Sequence, residues 1–177
     1  ADKPKISLYW CASCGGCEES VVDLAEDILA VLDAVDIVFW PVAMDFKKHD
    51  VEAMEDGSIF ATLVNGAVRT SEQEEMARLL RRKSQVLIAY GSCAHMGGIP
   101  SLANQFDRER ILRAVYDEAP TVTNDGHERP LTLSRVNGFA PTLPEFRNVV
   151  RALGQVVDVD YVIPGCPPTP KLLKEAL

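Results

Sequence analysis

The sequence contains no uninterrupted apolar run that approaches the roughly 20 residues of a membrane-spanning helix. It is also poor in positive charge. Its 18 Lys and Arg residues stand against 26 Asp and Glu residues, which gives a formal net charge of -8 at pH 7. Nucleic-acid-binding proteins usually present a basic face. The composition therefore argues against direct membrane insertion and against nucleic acid as a partner.

Signals for export are also missing from the beginning of the chain. The first ten residues, ADKPKISLYW, lack the apolar core of a signal peptide, and the Arg81–Arg82 pair lies in mid-chain, where it cannot direct export. We therefore expect a cytoplasmic location, unless Ala1 is itself a processed end. The 177 residues, 47% of them hydrophobic, are enough for one well-buried core. A single domain over residues 1–177 is the expected organisation.

Short apolar runs alternate with helical patterns along the chain. We predict strands at 5–10, 36–42, 60–66 and 84–93, a last strand that leads into Cys166, and helices at 18–35, 71–83, 107–118 and 143–155. A polar stretch with Pro and Gly separates the last two helices. This alternation predicts an α/β fold, in which a parallel sheet has helices on both faces.

All five cysteines follow predicted strands. Cys11, Cys14 and Cys17 share the loop after the first strand, Cys93 ends the fourth strand, and Cys166 follows the last. Because ligands bind beyond the carboxyl ends of parallel strands, we expect these residues to converge on one edge of the sheet. Five is an odd number, so a complete set of disulfides is impossible, and metal or redox roles are favoured.

Thiolates beside glycine and proline suit either zinc or an iron-sulfur cluster. Zinc usually takes two Cys-x-x-Cys pairs, whereas here the third and fourth candidate ligands are single residues from separate strands, as is more usual for a cluster. Three alternatives stay open: buried free cysteines, a thioredoxin-like redox pair at CGGC, and a structural zinc scaffold. A flavin-binding protein would instead need a Ser- and Thr-rich phosphate loop after the first strand.

The cysteine-bearing segments are SCGGCEES, GSCAHMGGIP and IPGCPPTP. In this order and with these separations they resemble the small, electron-transferring subunit of nickel-iron hydrogenases. LVNGAVRTSEQ, GGIPSLANQF and VDVDYVIPGCPP are similar to the cytoplasmic methyl-viologen-reducing and coenzyme F420-reducing types. The resemblance covers nearly the whole chain.

The resemblance implies a flavodoxin-like domain with one 4Fe-4S cluster, the proximal one, at the carboxyl ends of the strands. The implied ligands are Cys14, Cys17, Cys93 and Cys166. It also implies two partners: a large nickel-iron hydrogenase subunit, and a further iron-sulfur or flavin electron-transfer subunit. The chain would relay electrons between them and do no bond chemistry of its own.

Two features depart from the family pattern. Cys11 is an extra thiol, and the C-x-x-C-x-x-C run that it forms would let it substitute for a ligand. Members of this branch often continue into a region with further cysteines, whereas here only eleven residues follow Cys166. The homologous single-cluster subunit of complex I, the NADH-quinone oxidoreductase, is therefore the alternative identification, although its adjacent tandem cysteines are missing.

Other residues near the cysteines have two interpretations. Glu18 and Glu19 either relay protons at a subunit interface or simply begin a helix, where the helix dipole favours acidic residues. Met96, Ile99 and Pro100 form an apolar stretch that could pack on a large subunit. Trp40 is interpreted as a core or interface aromatic residue.

Overall fold

A computed structural model describes residues 3–176. Its main sheet has five parallel strands in the order β2-β1-β3-β5-β7, so the predicted α/β class is confirmed. The strands are β1 (Lys5–Trp10), β2 (Asp36–Phe39), β3 (Ile59–Asn65), β5 (Ser84–Tyr90) and β7 (Tyr161–Ile163). A separate antiparallel pair consists of β4 (Val68–Thr70) and β6 (Phe146–Arg151).

Helices cover both faces of the main sheet. They are α1 (Gly16–Val22), α2 (Asp27–Ala34), α3 (Lys48–Glu52), α4 (Ser71–Lys83), α5 (Gly91–Met96), α6 (Arg108–Tyr116) and α7 (Pro170–Ala176), with 3-10 turns at Ile99–Gln105 and Leu153–Gln155. Neighbouring strand residues point to opposite faces. Leu63 accordingly packs with α1 and α7, whereas Val64 packs with α4.

The helix predicted at 71–83 is confirmed with the same bounds. Thr70 and Gln73 form its capping box: the Gln73 N–H donates to the Thr70 hydroxyl, and the Gln73 side chain accepts from the Thr70 N–H. Acidic residues in the first turn and basic residues in the last turn complement the helix dipole.

Two helix predictions need correction. The predicted helix at 143–155 is wrong, because Phe146–Arg151 forms a strand that pairs with β4. The apolar spacing there fits a helix, but Pro144 and the adjacent β-branched residues Val149 and Val150 favour an extended chain. The predicted helix at 18–35 is interrupted between α1 and α2, where Ala25 adopts a positive φ of 51°.

No helix in residues 3–176 has the length and the apolar character needed to cross a membrane.

Candidate functional site

Four parallel strands end level with one another at the edge that carries the cysteines. Trp10 at the end of β1 pairs with Asn65, Asn65 pairs with Tyr90 at the end of β5, and Tyr90 pairs with Ile163 at the end of β7. Cysteine-bearing segments leave β1, β5 and β7 at this edge, as the sequence predicts. Cys93 differs from its predicted position in one respect: it lies in the first turns of α5 rather than in a strand end.

Direct contacts join the cysteine segments. The backbone N–H and the hydroxyl of Ser92 both donate to the carbonyl of Gly165, at 2.7 and 2.8 Å. These bonds hold the residue before Cys93 against the residue before Cys166. On the other side, Gly91 faces the sulfur of Cys17 with no room for a side chain. The segments after β1, β5 and β7 therefore form one contiguous surface.

Cys17 and Cys93 each lie close enough to other thiols of this group to be affected by them. Burial is the main cause that raises the pKa of the Cys17 thiol to about 12, and the other three thiols add to it. Burial also raises the pKa of Cys93, with smaller effects from Cys166 and Cys14. Cys14 and Cys166 are exposed, so the group reaches the surface.

Cys11 lies apart from this group. It is buried in the core on the α4 side of the sheet, whereas Cys17 belongs to the core on the other side. Its backbone N–H donates to the carbonyl of Asn65 at 2.8 Å. Burial alone raises the pKa of its thiol to about 12, with no contribution from another cysteine.

The surroundings of the four thiols suit a bulky inorganic group. Glycine occupies two positions where a side chain would clash with a cysteine sulfur. A β-carbon at Gly91 would lie 2.4 Å from the Cys17 Sγ, and one at Gly98 would lie 2.9 Å from the Cys93 Sγ. A backbone N–H also points at sulfur: the Gly16 N–H donates to the Cys14 Sγ at 3.4 Å.

No group of three or more His, Cys, Asp or Glu side chains in residues 3–176 is arranged to hold a single metal ion. Zinc requires sulfurs that all lie about 2.3 Å from one centre. A 4Fe-4S cluster instead takes one thiolate at each iron, so its ligands are spread more widely. Four thiols match a 4Fe-4S cluster in donor type and number, and the glycines beside them leave space next to the sulfurs of Cys17 and Cys93.

Sequence reasoning missed two residues of this site, Asn65 and Trp40. Both donate a side-chain N–H to the carboxylate of Glu18, which is buried beside Cys17. Burial raises the pKa of the Glu18 carboxyl, and the two hydrogen bonds partly oppose that rise. In the sequence, Asn65 is marked only by its turn-forming Asn-Gly dipeptide, and Trp40 carries no signal beyond its size.

An apolar surface adjoins the cysteine segments. The side chains of Ile99 and Met96 are 68% and 64% exposed, and they lie just after Cys93. Trp10, at the end of β1, is also exposed at this edge, and Leu102 and Phe106 are exposed in and just after the 3-10 turn that begins at Ile99. Such a concentration of exposed apolar side chains is typical of a protein interface.

One protein family matches a range that covers four of the five cysteines. Residues 14–177 match the family described as NADH ubiquinone oxidoreductase, 20 Kd subunit. The chain belongs to this family. The match begins at Cys14 and includes Cys17, Cys93 and Cys166, and it leaves out Cys11.

Within the 20 Kd subunit family, the chain is similar to hydrogenase subunits, so the predicted resemblance is confirmed. It is 39% identical over 165 residues to the iron-sulfur subunit of the F420-non-reducing hydrogenase of Archaeoglobus profundus, covering 93% of this chain and 51% of that protein. It is 28% identical to the delta subunit of the NAD-reducing hydrogenase HoxS of Cupriavidus necator, covering 94% and 73%. The chain spans about half the length of the first of these curated relatives.

A solved hydrogenase structure agrees in fold. A chain in the crystal structure of an NAD+-reducing [NiFe]-hydrogenase in the H2-reduced state superposes with a TM-score of 0.81 at 30% identity. The match covers 97% of this chain and 86% of that chain.

Proposed function

We propose that this chain is the electron-transfer subunit of a nickel-iron hydrogenase and holds one 4Fe-4S cluster, the proximal one. Cys14, Cys17, Cys93 and Cys166 are the ligands, and residues 1–177 form a single flavodoxin-like domain. The observation that carries the proposal is that the segments bearing Cys14, Cys17, Cys93 and Cys166 meet at the level ends of β1, β5 and β7. The family match and the hydrogenase subunits among the relatives support the same interpretation.

The chain's own groups suit that task in two ways. When bound, a 4Fe-4S cluster accepts and releases single electrons. Cys17 and Cys93 hold their sulfurs in a buried setting, which keeps water away from that side of the site. The Gly16 N–H points at the Cys14 sulfur, and such bonds raise the reduction potential of a cluster by stabilising added negative charge.

The apolar surface beside Cys93 is the proposed contact with a large nickel-iron subunit. Ile99 is exposed just after the Cys93 segment, and Leu102 and Phe106 are exposed in and just after the 3-10 turn that begins at Ile99. Burying these side chains against a partner would also cover the exposed thiols of Cys14 and Cys166 and exclude water from them. A further iron-sulfur or flavin subunit would exchange electrons with this one, and the proposed location of the complex is the cytoplasm.

A second candidate function is that of a single-cluster subunit in a complex I-like, quinone-linked assembly. The description of the matching family favours it. The two functions share the cluster but differ in the partner, so nickel and the electron acceptor separate them. A zinc scaffold is a third outcome, and it would be colourless where a 4Fe-4S protein is brown.

The test is anaerobic purification of the native complex, followed by nickel and iron analysis and an assay of hydrogen-dependent dye reduction. Nickel with hydrogen-driven reduction supports the hydrogenase subunit. Iron without nickel, together with quinone-linked activity, supports the complex I-like alternative. Zinc without iron would overturn both.

Cysteine variants test the ligand set. We expect Cys14→Ala and Cys166→Ala to lose iron while changing stability little, because both side chains are exposed. Cys11→Ala is the matched control: it should lower the free energy of unfolding, since the side chain is buried, yet keep its iron. Iron loss in Cys11→Ala with retention in Cys14→Ala would show that Cys11 is the ligand instead.

A further inference from the structure

Arg69 is a buried arginine without a partner among the described residues. It is 4% exposed, and none of its three guanidinium nitrogens meets a hydrogen-bond acceptor within residues 3–176. A buried charge is costly unless another charge or a set of hydrogen bonds compensates it. Natural sequences keep such conflicts mainly where a function requires them. The guanidinium therefore calls for an acceptor that the described residues do not supply.

The side chain of Arg69 is held in one orientation. Its guanidinium carbon lies over the ring of Phe146, 4.1 Å from the centroid. The Arg69 backbone N–H donates to the Gln73 Oε1 at 2.8 Å, which fixes the start of the side chain. A guanidinium that places its face on a ring keeps its N–H donors at its edge, where they match both oxygens of a carboxylate. The group is therefore prepared for a bidentate anionic acceptor.

Two carboxylates around the β4–β6 pair are already used by other arginines. Glu74 lies 3.4 Å from Arg147 and also pairs with Arg151. Glu145 lies 2.8 Å from Arg147 and 3.7 Å from Arg108. These acidic side chains therefore compensate arginines other than the buried one.

A second guanidinium adds positive charge at the same place. Arg108 donates to the carbonyl of Phe146 at 3.1 Å, on the residue whose ring contacts Arg69. Burial is the main cause that lowers the pKa of Arg69, and the charge of Arg108 lowers it further. Neighbouring charges of one sign attract an anion more strongly than a single charge does.

The strand that carries Arg69 borders the proposed partner contact. Asn104, in the 3-10 turn that begins at Ile99, exchanges two hydrogen bonds with the backbone of Val150 in β6, at 2.8 and 2.9 Å. β6 in turn pairs with β4, which carries Arg69. A stable interface covers roughly 800 Å² on each partner, which is more than one 3-10 turn presents. A partner that covers this turn is therefore expected to extend onto the neighbouring β4–β6 pair.

We propose that Arg69 receives an Asp or Glu carboxylate of a partner subunit, beside Arg108. The identity of that partner, the large nickel-iron subunit, rests on the proposed function. Phe146 and Arg108 are only partly buried, so a change of their side-chain rotamers gives the carboxylate access. A charge pair formed there is shielded from water, and such pairs give an interface its specificity.

The first test is dissociation of the anaerobically purified complex on dilution. Arg69→Met removes the charge and keeps a similar length. We expect its dissociation constant to rise by about tenfold or more, because the partner's carboxylate is left without its cation. Arg82→Met is the matched control and should dissociate like the wild type. Arg82 is exposed in the last turn of α4, where β5 begins, at the edge of the sheet opposite the cysteines.

Arg69→Lys identifies the acceptor directly, and it also serves if Arg69→Met does not accumulate. A water-soluble carbodiimide joins a lysine amine to a carboxylate in contact with it. In the intact Arg69→Lys complex, mass spectrometry should find position 69 joined to an Asp or Glu of the partner subunit. The wild type has no amine at this position and is the control.

Two results would overturn the proposed contact: unchanged dissociation of Arg69→Met, and a crosslink from position 69 only to carboxylates of this chain. A small anion is the occupant instead if dissociation is unchanged while inorganic phosphate raises the unfolding temperature of the wild type and not of Arg69→Met. A complex without nickel and without hydrogen-dependent reduction would overturn the identity of the partner, and this result is separate from the others.

Discussion

Gly91 and Cys17 approach each other so closely that a β-carbon at position 91 would lie 2.4 Å from the Cys17 sulfur. Gly91 begins α5, which carries Cys93, and Cys17 lies in α1. The two cysteine-bearing segments therefore meet at a residue that has no side chain. Glycine at this position is what allows the first and second thiol segments to converge.

Gly91→Ala should abolish iron retention. The added methyl group must displace the Cys17 sulfur or move the backbone of α5, and the positive φ of 84° adds strain of about 1–2 kcal/mol. Gly138→Ala is the matched control, since Gly138 has the same φ and nothing within 4 Å of an added β-carbon. Iron per chain and thermal unfolding are the measurements. Equal iron content in the two variants would show that the contact with Cys17 is unimportant.

Asp160→Asn should weaken the pH dependence of stability in acid. The Leu87 N–H, at 2.7 Å, and the Arg81 side chain hold the pKa of the Asp160 carboxyl below its usual value. A lowered pKa stabilises the fold above the unfolded-state pKa of about 3.9, and that stability is lost as the pH falls through the folded-state pKa.

Urea unfolding at pH 7 and near pH 3 measures this effect. Asp160 is 41% exposed, so we expect a contribution of about 1 kcal/mol or less at pH 7. The difference between wild type and Asp160→Asn should shrink toward pH 3. A constant difference at both pH values would contradict the assignment.

Arg69→Met should stabilise the chain. Arg69 is only 4% exposed, and in the part of the chain that the structure describes none of its guanidinium nitrogens meets a hydrogen-bond acceptor. Burial lowers the pKa of this guanidinium. Its contact with the Phe146 ring, 4.1 Å from the centroid, offsets only part of the desolvation.

We expect the free energy of unfolding of Arg69→Met to rise by about 1 kcal/mol. Arg81→Met is the control: Arg81 pairs with Asp160 and donates to the carbonyl oxygens of Ser84 and Gln85, so its loss should destabilise. If Arg69→Met lowers the free energy of unfolding as much as Arg81→Met does, Arg69 has a partner outside the described residues.

Ile99→Asp should weaken association with the proposed large subunit without removing iron. Ile99 is among the most exposed apolar side chains beside the cysteine segments. Leu29→Asp, on α2 and similarly exposed at 62%, is the control and should associate normally. Co-purification and iron analysis of both variants measure the effect. Normal association of Ile99→Asp would place the interface elsewhere.

Local patterns made much of the fold predictable. Residues 71–83 carry their own capping box and their own charge gradient, so the helix that they form depends little on the rest of the chain. The apolar run at 84–90 is long enough to indicate a buried strand. Residues 143–155 show the opposite case. Their apolar spacing suits a helix, but Pro144 and the β-branched Val149 and Val150 favour an extended chain, and pairing with β4 makes Phe146–Arg151 a strand.

The sequence by itself determined the class of fold, because the alternation of strands and helices can be recognised from local patterns. It also determined the edge of the sheet at which Cys14, Cys17, Cys93 and Cys166 gather, because each of them follows the end of a parallel strand. By spacing alone, Cys11 is equivalent to Cys14 and Cys17. Only the tertiary structure distinguished it from Cys17, because it is buried on the other side of the sheet. The same holds for Glu18. Its hydrogen bonds to Trp40 and Asn65 join residues 22 and 47 positions apart, and only chain folding decides which distant side chains meet.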